Sequence, residues 1–452
     1  MEEKKLKEQV ELIRQVFEYI HLFKGRTFVI KIDCALFSHP FFPGLIKDLV
    51  LLHRQGIRVV LVPGAKSQID AVLTRYEIPW KSAEGIRIST PEAIPFIKMA
   101  SFDVANKIMT RLAENNADGI IGNCVRARSI GVHGGIDFQN SGQVEKINTS
   151  IIRSVLEEGL IPIFPNIGWN ATGRPYNLSS NELACSLASD LQARKLFFIT
   201  DGRVIAAGDY NLPPGTSVTD EKVVNQLSLE GATSFLDANP VRDNDELREM
   251  VALACRAGEA GVERVHIIDG RIEGVLLKEI FSSRGFGTMI YADRHENIRA
   301  MNIRDIPEAL RIMEPFMEKG LLVPRDEQTL TEQCGDFVVY EVDGLVHATG
   351  ALHRFGSETG KSPLKGELAA IAVDETYRGL GIGRRIVSYL QKRAREAGLA
   401  QVFALTVQAA DWFLQLGFVD GDVNDLPPEK REAYNRDRNS RVLIRNLGKE
   451  AS

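Results

Sequence analysis

A glycine-rich turn is the part of the sequence whose chemistry is easiest to infer. In VDETYRGLGIGRRIV, Gly379, Gly381 and Gly383 follow the apolar run GELAAIAVD and precede an amphipathic run that ends at Gly398. Glycines at a strand-to-helix turn let backbone N–H groups approach an anion, and the helix dipole favours negative charge there. The spacing fits neither a dinucleotide-binding fingerprint nor a P-loop. The pattern from Arg378 is instead R-x-x-G-x-G, and a glycine-rich turn of this kind either binds an anion or is simply a turn.

The elements that must position this turn form two α/β regions. Between residues 25 and 290, short β-branched runs such as RTFVIKI and IRVVLVPG alternate with helical runs, which predicts a mainly parallel sheet covered by helices. A second α/β unit begins near Ile298, before the helix in RDIPEALRIMEPFMEKG. We expect Asp305 to cap that helix, Pro307 to occupy its first turn and Glu308 to complete a capping box. The predicted domains are residues 1–290 and 298–452, joined by a linker over 291–297.

Composition excludes several classes of protein. A chain of 452 residues is expected to form more than one domain, and its net charge of −5 lacks the basic field of nucleic-acid binders. The five cysteines are scattered, which indicates reduced thiols and neither a disulfide framework nor a metal site. No apolar run reaches the roughly 18 residues of a membrane span. We expect a cytoplasmic protein without a nucleic-acid or membrane partner.

The N-terminal segment has helical periodicity. Leu6, Val10, Ile13, Phe17 and Ile20 recur at steps of four and three, which predicts an amphipathic helix over residues 4–23. The mixture of acidic and basic residues is not typical of a signal or transit peptide. Such a helix either covers its own domain or docks on a neighbouring subunit. The second alternative would make the protein a homo-oligomer, of a size that the sequence leaves open.

Two sets of motifs resemble known families. VDETYRGLGIGRRIV resembles the coenzyme-A pyrophosphate loop of the GNAT acetyltransferases, and VFALTVQAADWFLQLGF resembles their next strand and helix. GRTFVIKIDCALF, VVLVPGAKSQID and VERVHIIDGRIEGVLLKEIFSSRGFGTMI resemble an amino-acid kinase domain of the acetylglutamate kinase type. Their combination resembles the bacterial N-acetylglutamate synthase family. The resemblance implies an α/β chain with an N-terminal amino-acid kinase-like αβα sandwich, whose sheet is mainly parallel, and a C-terminal GNAT α+β domain.

The kinase-like half departs from the kinase motifs. Where that family has K-x-G-G the chain has KIDC, so Asp33 and Cys34 replace glycines whose amides would meet phosphate. PGAK replaces H-G-x-G, and in NLSSN Asn181 stands in place of an aspartate. These departures indicate that phosphorylation by ATP has been lost.

The resemblance implies that this half binds L-arginine as a feedback effector. The implied site comprises Tyr19, His266, Glu279 and the turn at Gly287, where a carboxylate can pair with a guanidinium. His266 is alternatively a hydrogen-bonded histidine at a strand end, and Tyr19 a packing aromatic. Whether arginine inhibits or only binds stays open.

The GNAT resemblance implies acetyl transfer from acetyl-CoA to the α-amine of L-glutamate, which yields N-acetyl-L-glutamate and CoA, the first step of arginine biosynthesis. Glu367 is the implied base, and Thr406 is a weak candidate for a hydroxyl donor, because Phe413 replaces the tyrosine that many members use as the acid. The remaining implied contacts to acetyl-CoA are the backbone amides of Ala372 and Val373, which polarise the carbonyl, and Arg378, Gly379, Gly381, Gly383 and Arg384, which hold the pyrophosphate.

Basic side chains are the implied ligands of the acceptor amino acid. Guanidinium groups suit its two carboxylates, and the resemblance assigns the binding of these carboxylates to Arg325 and Arg438, together with the hydroxyl of Ser440. Lys430 and Arg431 are weaker candidates. Another acidic amino acid such as aspartate remains an alternative acceptor. An arginine-sensing protein with an inactive GNAT domain, or an acetylglutamate kinase, remains an alternative function.

Overall fold

In the computed structural model the chain forms two compact units, Met1–Asp293 and Arg294–Ser452. The structure describes residues 16–17, 19–83, 85–213, 216–219, 222–242, 245–281, 286–292, 296–342, 345–356, 364–377, 381–436 and 438–447. Of the predicted helix over residues 4–23, positions 16–17 and 19–23 are described and are helical, and the rest lies outside the described residues. Over the ranges given above, no helix is both long enough and apolar enough to cross a membrane.

The first unit contains strands and helices in alternation. Its strands are β1 (Thr27–Ile32), β2 (Arg58–Pro63), β3 (Lys81–Ala83), β4 (Ile86–Ile88), β5 (Gly119–Ile121), β6 (Val125–Ser129), β7 (Val132–His133), β8 (Ile136–Asp137), β9 (Gly142–Ile147), β10 (Ile161–Ile163), β11 (Ile167–Trp169), β12 (Pro175–Asn177), β13 (Lys195–Thr200), β14 (Ser217–Val218), β15 (Val224–Ser228), β16 (Arg264–Asp269) and β17 (Gly287–Tyr291). Its helices are α1 (Phe42–Arg54), α2 (Lys66–Arg75), α3 (Ile94–Glu114), α4 (Thr149–Glu157), α5 (Ser180–Leu191), α6 (Leu229–Ala238), α7 (Glu246–Glu259) and α8 (Val275–Phe281).

A nine-stranded sheet is the centre of this unit, in the order β14-β15-β17-β16-β13-β1-β2-β10-β5. Pairing is parallel from β16 through β13, β1, β2 and β10 to β5, and β16 is antiparallel to β17. Alternate residues of neighbouring strands enter two cores: Val29 and Phe198 pack with residues of α5 and α7, whereas Ile30 and Phe197 pack with residues of α1 and α8. Helices therefore cover both faces, and the predicted αβα sandwich with a mainly parallel sheet is confirmed.

The second unit contains a seven-stranded sheet and the helices packed on it. Its strands are β18 (Glu296–Ala300), β19 (Phe337–Val342), β20 (Leu345–Phe355), β21 (Lys365–Val373), β22 (Gln401–Thr406), β23 (Val419–Gly421) and β24 (Arg441–Asn446). Its helices are α9 (Ile306–Glu318), α10 (Glu327–Glu332), α11 (Ile382–Glu396), α12 (Ala410–Gln415) and α13 (Pro428–Glu432). The sheet order is β18-β19-β20-β21-β22-β24-β23, in which β21 and β22 are parallel and the other neighbours are antiparallel.

The prediction that Asp305 caps α9 with its side chain is wrong, although Asp305 does occupy the N-cap position. Asp305 precedes the helix, but its carboxylate makes no capping bond to α9. It accepts instead from the backbone N–H of Asn302 at 2.8 Å and from Arg299 Nη1 at 2.7 Å. Asn302 and Asp305 form the capping box of a preceding 3-10 turn, Ile303–Asp305. The half-buried guanidinium of Arg299 thus takes the place of the helix amides as a partner of this carboxylate.

Candidate active site

A cleft opens between two parallel strands of the second unit. Strands β21 and β22 pair only from Lys365 to Glu367, opposite Gln401 to Phe403, although β21 continues to Val373 and β22 to Thr406. Beyond Glu367 the strands therefore separate, and the β21 edge that faced β22 no longer has its sheet partner. Strand ends and irregular edges of this kind leave backbone N–H and C=O groups for a ligand.

An irregularity in β21 shapes the wall of this cleft. Ala370 has a positive φ of 51°, and the register with β20 changes between the pair Ala351–Ala369 and the pair Thr349–Ala372. This is a β-bulge, which bends the strand and re-aims the residues that follow it. The buried hydroxyl of Thr349 donates to the Ala370 carbonyl at 2.8 Å. That bond satisfies a carbonyl that the bulge removes from the ladder.

Glu367, the predicted base, lies where the two strands part. Its side chain is only 7% exposed, and its Oε2 accepts a hydrogen bond from Lys430 Nζ at 2.7 Å. Lys430 is on the short helix α13. The next residue, Arg431, donates to the carbonyls of Asn424 and Leu426 at 3.0 and 3.2 Å. The structure thus brings Lys430 to the carboxylate, whereas Arg431 binds the backbone of its own loop. A buried charge needs such a partner, because isolation would be costly.

Arg325 lies close to this carboxylate, and Arg438 lies close to Arg325. Burial lowers the pKa of Arg325, and it also feels the opposite charge of Glu367 and the like charge of Arg438. Arg325 donates to the Val323 carbonyl at 3.0 Å, and Arg438 donates to the Leu321 carbonyl at 2.7 Å. Neither guanidinium has a carboxylate partner among the residues that the structure describes.

Two further details concern the segment that carries Arg438. The buried Nε of Arg438 has no hydrogen-bond partner within the described ranges. Ser440 is buried, and its backbone carbonyl accepts from the Tyr434 hydroxyl at 2.6 Å. The serine hydroxyl therefore sits on a loop that is fixed beside β24. Arginines held by backbone carbonyls keep donors for an incoming carboxylate.

The glycine turn meets the start of α11. Gly381 is the N-cap residue, with φ of 75°, and no side chain caps the first-turn amides. These amides are therefore available to an anion, and the dipole of the helix favours one. An added Cβ at Gly383 would lie 3.2 Å from Trp412 Cζ2, so this glycine lets the indole pack against the turn. Arg384 is exposed on the first turn. Arg378 and Gly379 lie outside the described residues.

The remaining predicted residues line the two separating strands. Ala372 is buried and Val373 half-buried at the end of β21, opposite Thr349 and Ala348. Thr406 ends β22, and its Oγ1 accepts from the Ala409 N–H at 2.9 Å just before α12 begins. The hydroxyl hydrogen of Thr406 is not used by that bond and remains able to donate.

Some features of the cleft were not foreseen from the sequence. The Lys430–Glu367 contact joins α13 to β21, and no local pattern links the two positions. The Trp412 ring packs beside Gly383, and the sequence shows only that a large aromatic residue is present in DWFLQLGF. The bulge at Ala370 carried none, because alanine gives no hint of a positive φ.

The predicted effector residues gather in the first unit. His266, on β16, pairs through Nδ1 with Glu279 Oε1 at 2.8 Å, and the Phe286 N–H donates to Glu279 Oε2 at 2.6 Å. The Tyr19 ring lies 5.0 Å from Phe281, and the ammonium of Lys195 lies 5.2 Å from the centre of the Tyr19 ring. Lys195 is a buried cation that the sequence analysis did not single out.

The electrostatics of this pair follow from burial. Burial lowers the pKa of His266 to about 4, although its hydrogen bond to Glu279 acts in the opposite direction. Burial alone would raise the pKa of Glu279, but the hydrogen bonds and charge it receives outweigh this and lower it. Gly287 begins β17, where an added Cβ would lie only 2.2 Å from the Ile267 carbonyl oxygen. Only glycine fits there.

The positions of the altered kinase motifs are filled by ion pairs. Asp33 pairs with Arg203 and lies 3.7 Å from Lys31 Nζ. Arg203 also pairs with Glu246, which binds Lys66 Nζ at 2.7 Å. The basic side chains at this edge of the sheet therefore already have carboxylate partners.

Comparisons with known proteins agree with this architecture. Residues 26–269 match the amino acid kinase family, and residues 300–418 match the acetyltransferase (GNAT) family. The amino-acid acetyltransferase of Pasteurella multocida (strain Pm70) is 32% identical over 448 residues, which cover 97% of this chain and 98% of the relative. That of Ralstonia nicotianae is also 32% identical, over 97% of this chain and 95% of the relative.

Solved structures are similar over the whole chain. The crystal structure of N-acetylglutamate synthase from Neisseria gonorrhoeae complexed with coenzyme A and L-arginine has a TM-score of 0.82 at 28% identity, and covers 97% of this chain and 99% of that chain. The same enzyme complexed with coenzyme A and N-acetyl-glutamate gives a TM-score of 0.59 at 29% identity, with the same coverage of both chains. A GNAT unit takes its acetyl group from acetyl-CoA. The chain therefore belongs to the amino-acid acetyltransferase family, in which an amino-acid kinase-like unit is joined to a GNAT unit.

Proposed function

We propose that the enzyme transfers the acetyl group of acetyl-CoA to the α-amine of L-glutamate, and that L-arginine regulates it through the first unit. The observation that carries the acceptor assignment is the charge around Glu367. Lys430 bonds to this carboxylate, and Arg325 and Arg438 lie nearby without carboxylate partners within the described ranges. Lys430 is occupied by Glu367, which leaves two guanidinium groups without a carboxylate partner. Glutamate has two carboxylates, one for each of these guanidiniums.

Proton removal is the first chemical requirement, because an ammonium group cannot attack a thioester. Glu367 is buried at the parting of the strands and accepts the proton from the substrate nitrogen. The amine then attacks the carbonyl carbon, and amides of the β21 edge near Ala372 and Val373 stabilise the negative charge on its oxygen. The C–S bond then breaks as the nitrogen loses its second proton, which passes to the departing thiolate, and Thr406 is the predicted hydrogen-bond donor to that sulfur. The first-turn amides of α11, with Gly381 and Gly383, bind the pyrophosphate.

For regulation, the carboxylate of Glu279 and the Gly287 turn suit the guanidinium and the amino-acid end of arginine. Glu279 already accepts from His266 and from the Phe286 N–H, so arginine would use the remaining lone pairs of this carboxylate or displace one of these donors. Arginine as the effector is supported by the related synthase of Neisseria gonorrhoeae, which was crystallised with coenzyme A and L-arginine. An oligomer built through the N-terminal helix remains a prediction.

Release of free thiol from acetyl-CoA, followed with glutamate or with aspartate and with or without arginine, tests the proposal. Glu367→Gln is expected to lower kcat by about 100-fold or more, because it removes a proton acceptor, and to leave acetyl-CoA binding unchanged in calorimetry. Turnover with aspartate but not with glutamate would overturn the acceptor assignment.

Arg438→Ala is the matched test of substrate recognition. Loss of a charged hydrogen-bonding partner is expected to raise the KM for glutamate by about 10- to 100-fold and to spare the KM for acetyl-CoA. Arg441→Ala is the control, since Arg441 lies on the same segment but pairs with Asp420 at 2.7 Å on the exposed surface. An Arg438→Ala variant that bound acetyl-CoA poorly and glutamate normally would contradict the assignment.

The alternative of an acetylglutamate kinase is disfavoured by the ion pairs at the altered motifs. Lys31 and Lys66 face Asp33 and Glu246, and a triphosphate would have to break these pairs to use the lysines. ADP release from ATP and N-acetylglutamate is expected to stay at background. An arginine sensor with an inactive GNAT unit is disfavoured by the intact cleft around Glu367.

A further inference from the structure

A second acid–base pair lies on the face of the sheet that carries Glu367. His353, near the end of β20, has its Nδ1 2.8 Å from Asp336 Oδ2, and Asp336 lies in the turn before β19. The His353 side chain is 15% exposed and that of Asp336 is 41% exposed, so the pair connects a half-buried imidazole to the protein surface. Neither residue has a part in the acetyl transfer proposed above.

The strand register places His353 directly beside the base. His353 is the antiparallel partner of Glu367 in the β20–β21 ladder. Directly opposed residues project from the same face, with Cβ atoms about 4.5–5.5 Å apart. The neighbouring pairs show which face this is: Leu352 and Leu368 belong to the core beneath α11, so His353 and Glu367 project from the opposite face. The edge of the Phe337 ring lies on the imidazole, with centroids 6.0 Å apart.

The partner of Nδ1 decides which ring nitrogen can accept a proton. An ionised carboxylate only accepts hydrogen bonds, so a neutral His353 must carry its hydrogen on Nδ1. The lone pair is then on Nε2, which has no hydrogen-bond partner within the described ranges. A histidine whose far nitrogen is held by a carboxylate is the arrangement that orients an imidazole as a proton acceptor. Asp336 would also stabilise the imidazolium once the proton arrives.

We propose that His353, oriented by Asp336, relays the substrate proton from Glu367 to solvent. This inference rests on the proposed acetyl transfer to an amine. The substrate N–H bond breaks and an O–H bond forms on Glu367. That proton then moves to His353 Nε2, directly or through one water, which restores the Glu367 carboxylate. The imidazolium then loses its Nε2 proton to a water that reaches the 15% exposed ring, which restores the neutral tautomer with hydrogen on Nδ1. His353 does not contact the substrate and acts only by accepting the proton from Glu367. Lys430 holds the Glu367 carboxylate in place.

Thiol release by the full-length enzyme, at saturating glutamate and acetyl-CoA, tests the relay. His353→Gln retains an amide that can bind Asp336 but cannot accept a proton at this pH, and kcat is expected to fall about tenfold, a part of the usual acid–base contribution. Both KM values should stay within about twofold of the wild type. His353→Ala opens space beside Phe337, and added imidazole should restore much of its kcat. Asp336→Asn should give a smaller loss, because only the imidazolium loses its counter-charge.

The control is His53→Ala, which removes an imidazole in the first unit that binds the Gly159 carbonyl at 2.9 Å. Its kcat should equal that of the wild type, with no response to imidazole. An unaltered kcat for His353→Gln, or a His353→Ala variant that folds but gains nothing from imidazole, would overturn the relay while wild-type turnover still supported the proposed function. A wild-type enzyme that releases no thiol with any acidic amino acid would reject the proposed function itself, and the relay with it.

Discussion

The pair of His266 and Glu279 makes the stability of the enzyme depend on pH in a predictable window. The imidazole is 2% exposed, stacks on Phe197 with centroids 4.7 Å apart, and binds Glu279 at 2.8 Å. Burial lowers the pKa of His266 from 6.5 to about 4, so the folded protein keeps this ring neutral where the unfolded chain protonates it. We expect His266→Gln, which cannot titrate, to remove this part of the pH dependence.

The sign and size follow from proton linkage. Between pH 6.5 and 4 the unfolded chain binds more protons at this ring than the folded protein, so the free energy of unfolding falls as the pH falls. The stabilisation is complete above the unfolded pKa, and the loss between pH 7 and pH 5 is about 2 kcal/mol for this one group. The pKa of Glu279 is lowered from 4.5 in the folded protein, and the unfolded carboxyl is still mostly ionised at pH 5, so Glu279 adds little to the loss between pH 7 and pH 5.

Urea unfolding of the full chain at pH 7 and pH 5 measures the effect. The wild type should lose about 2 kcal/mol more unfolding free energy on acidification than His266→Gln does. His39→Gln is the control, because this histidine of the same unit accepts only a weak hydrogen bond from Phe41, at 3.4 Å, and it should lose as much as the wild type. Equal losses in the wild type and in His266→Gln would refute the claim that the buried ring stays neutral.

Two further outcomes test the second unit. Gly381 and Gly398 have φ of 75° and 73° and open space around the position of a Cβ. Gly381→Ala and Gly398→Ala should therefore each cost about 1–2 kcal/mol of stability through backbone strain. Only Gly381→Ala should also raise the Kd of CoA in calorimetry, by about tenfold, and equal Kd values for the two variants would contradict the phosphate turn. Thr349→Val removes the 2.8 Å bond to the Ala370 carbonyl at the bulge and should cost about 1–3 kcal/mol in urea unfolding, whereas Thr349→Ser, which keeps the hydroxyl, should recover most of it.

The sequence predicts the elements better than the contacts between them. Alternating β-branched and amphipathic runs indicate the αβα sandwich, because period and length depend on local residues. The phosphate turn before α11 is equally local. The Lys430–Glu367 and His353–Asp336 contacts, in contrast, depend on the register of strands that are distant in sequence. The failed prediction at Asp305 has the same origin, since a capping pattern cannot reveal that Arg299 competes for the carboxylate.

Charge balance separates the two units more sharply than their folds do. At the edge of the first sheet, Lys31, Lys66 and Arg203 are matched by Asp33, Glu246 and Glu249. The charge of Lys31 favours the ionised form of Glu249, whereas the carboxylates of Glu246 and Glu182 disfavour it. The cleft around Glu367 has the opposite character, because Lys430 pairs with Glu367 while Arg325 and Arg438 have no carboxylate partner among the described residues. An anionic substrate gains electrostatic energy only where cations exceed anions. The second unit therefore has the electrostatics of a site for an acidic substrate, and the first unit has at this edge those of a self-neutralised scaffold.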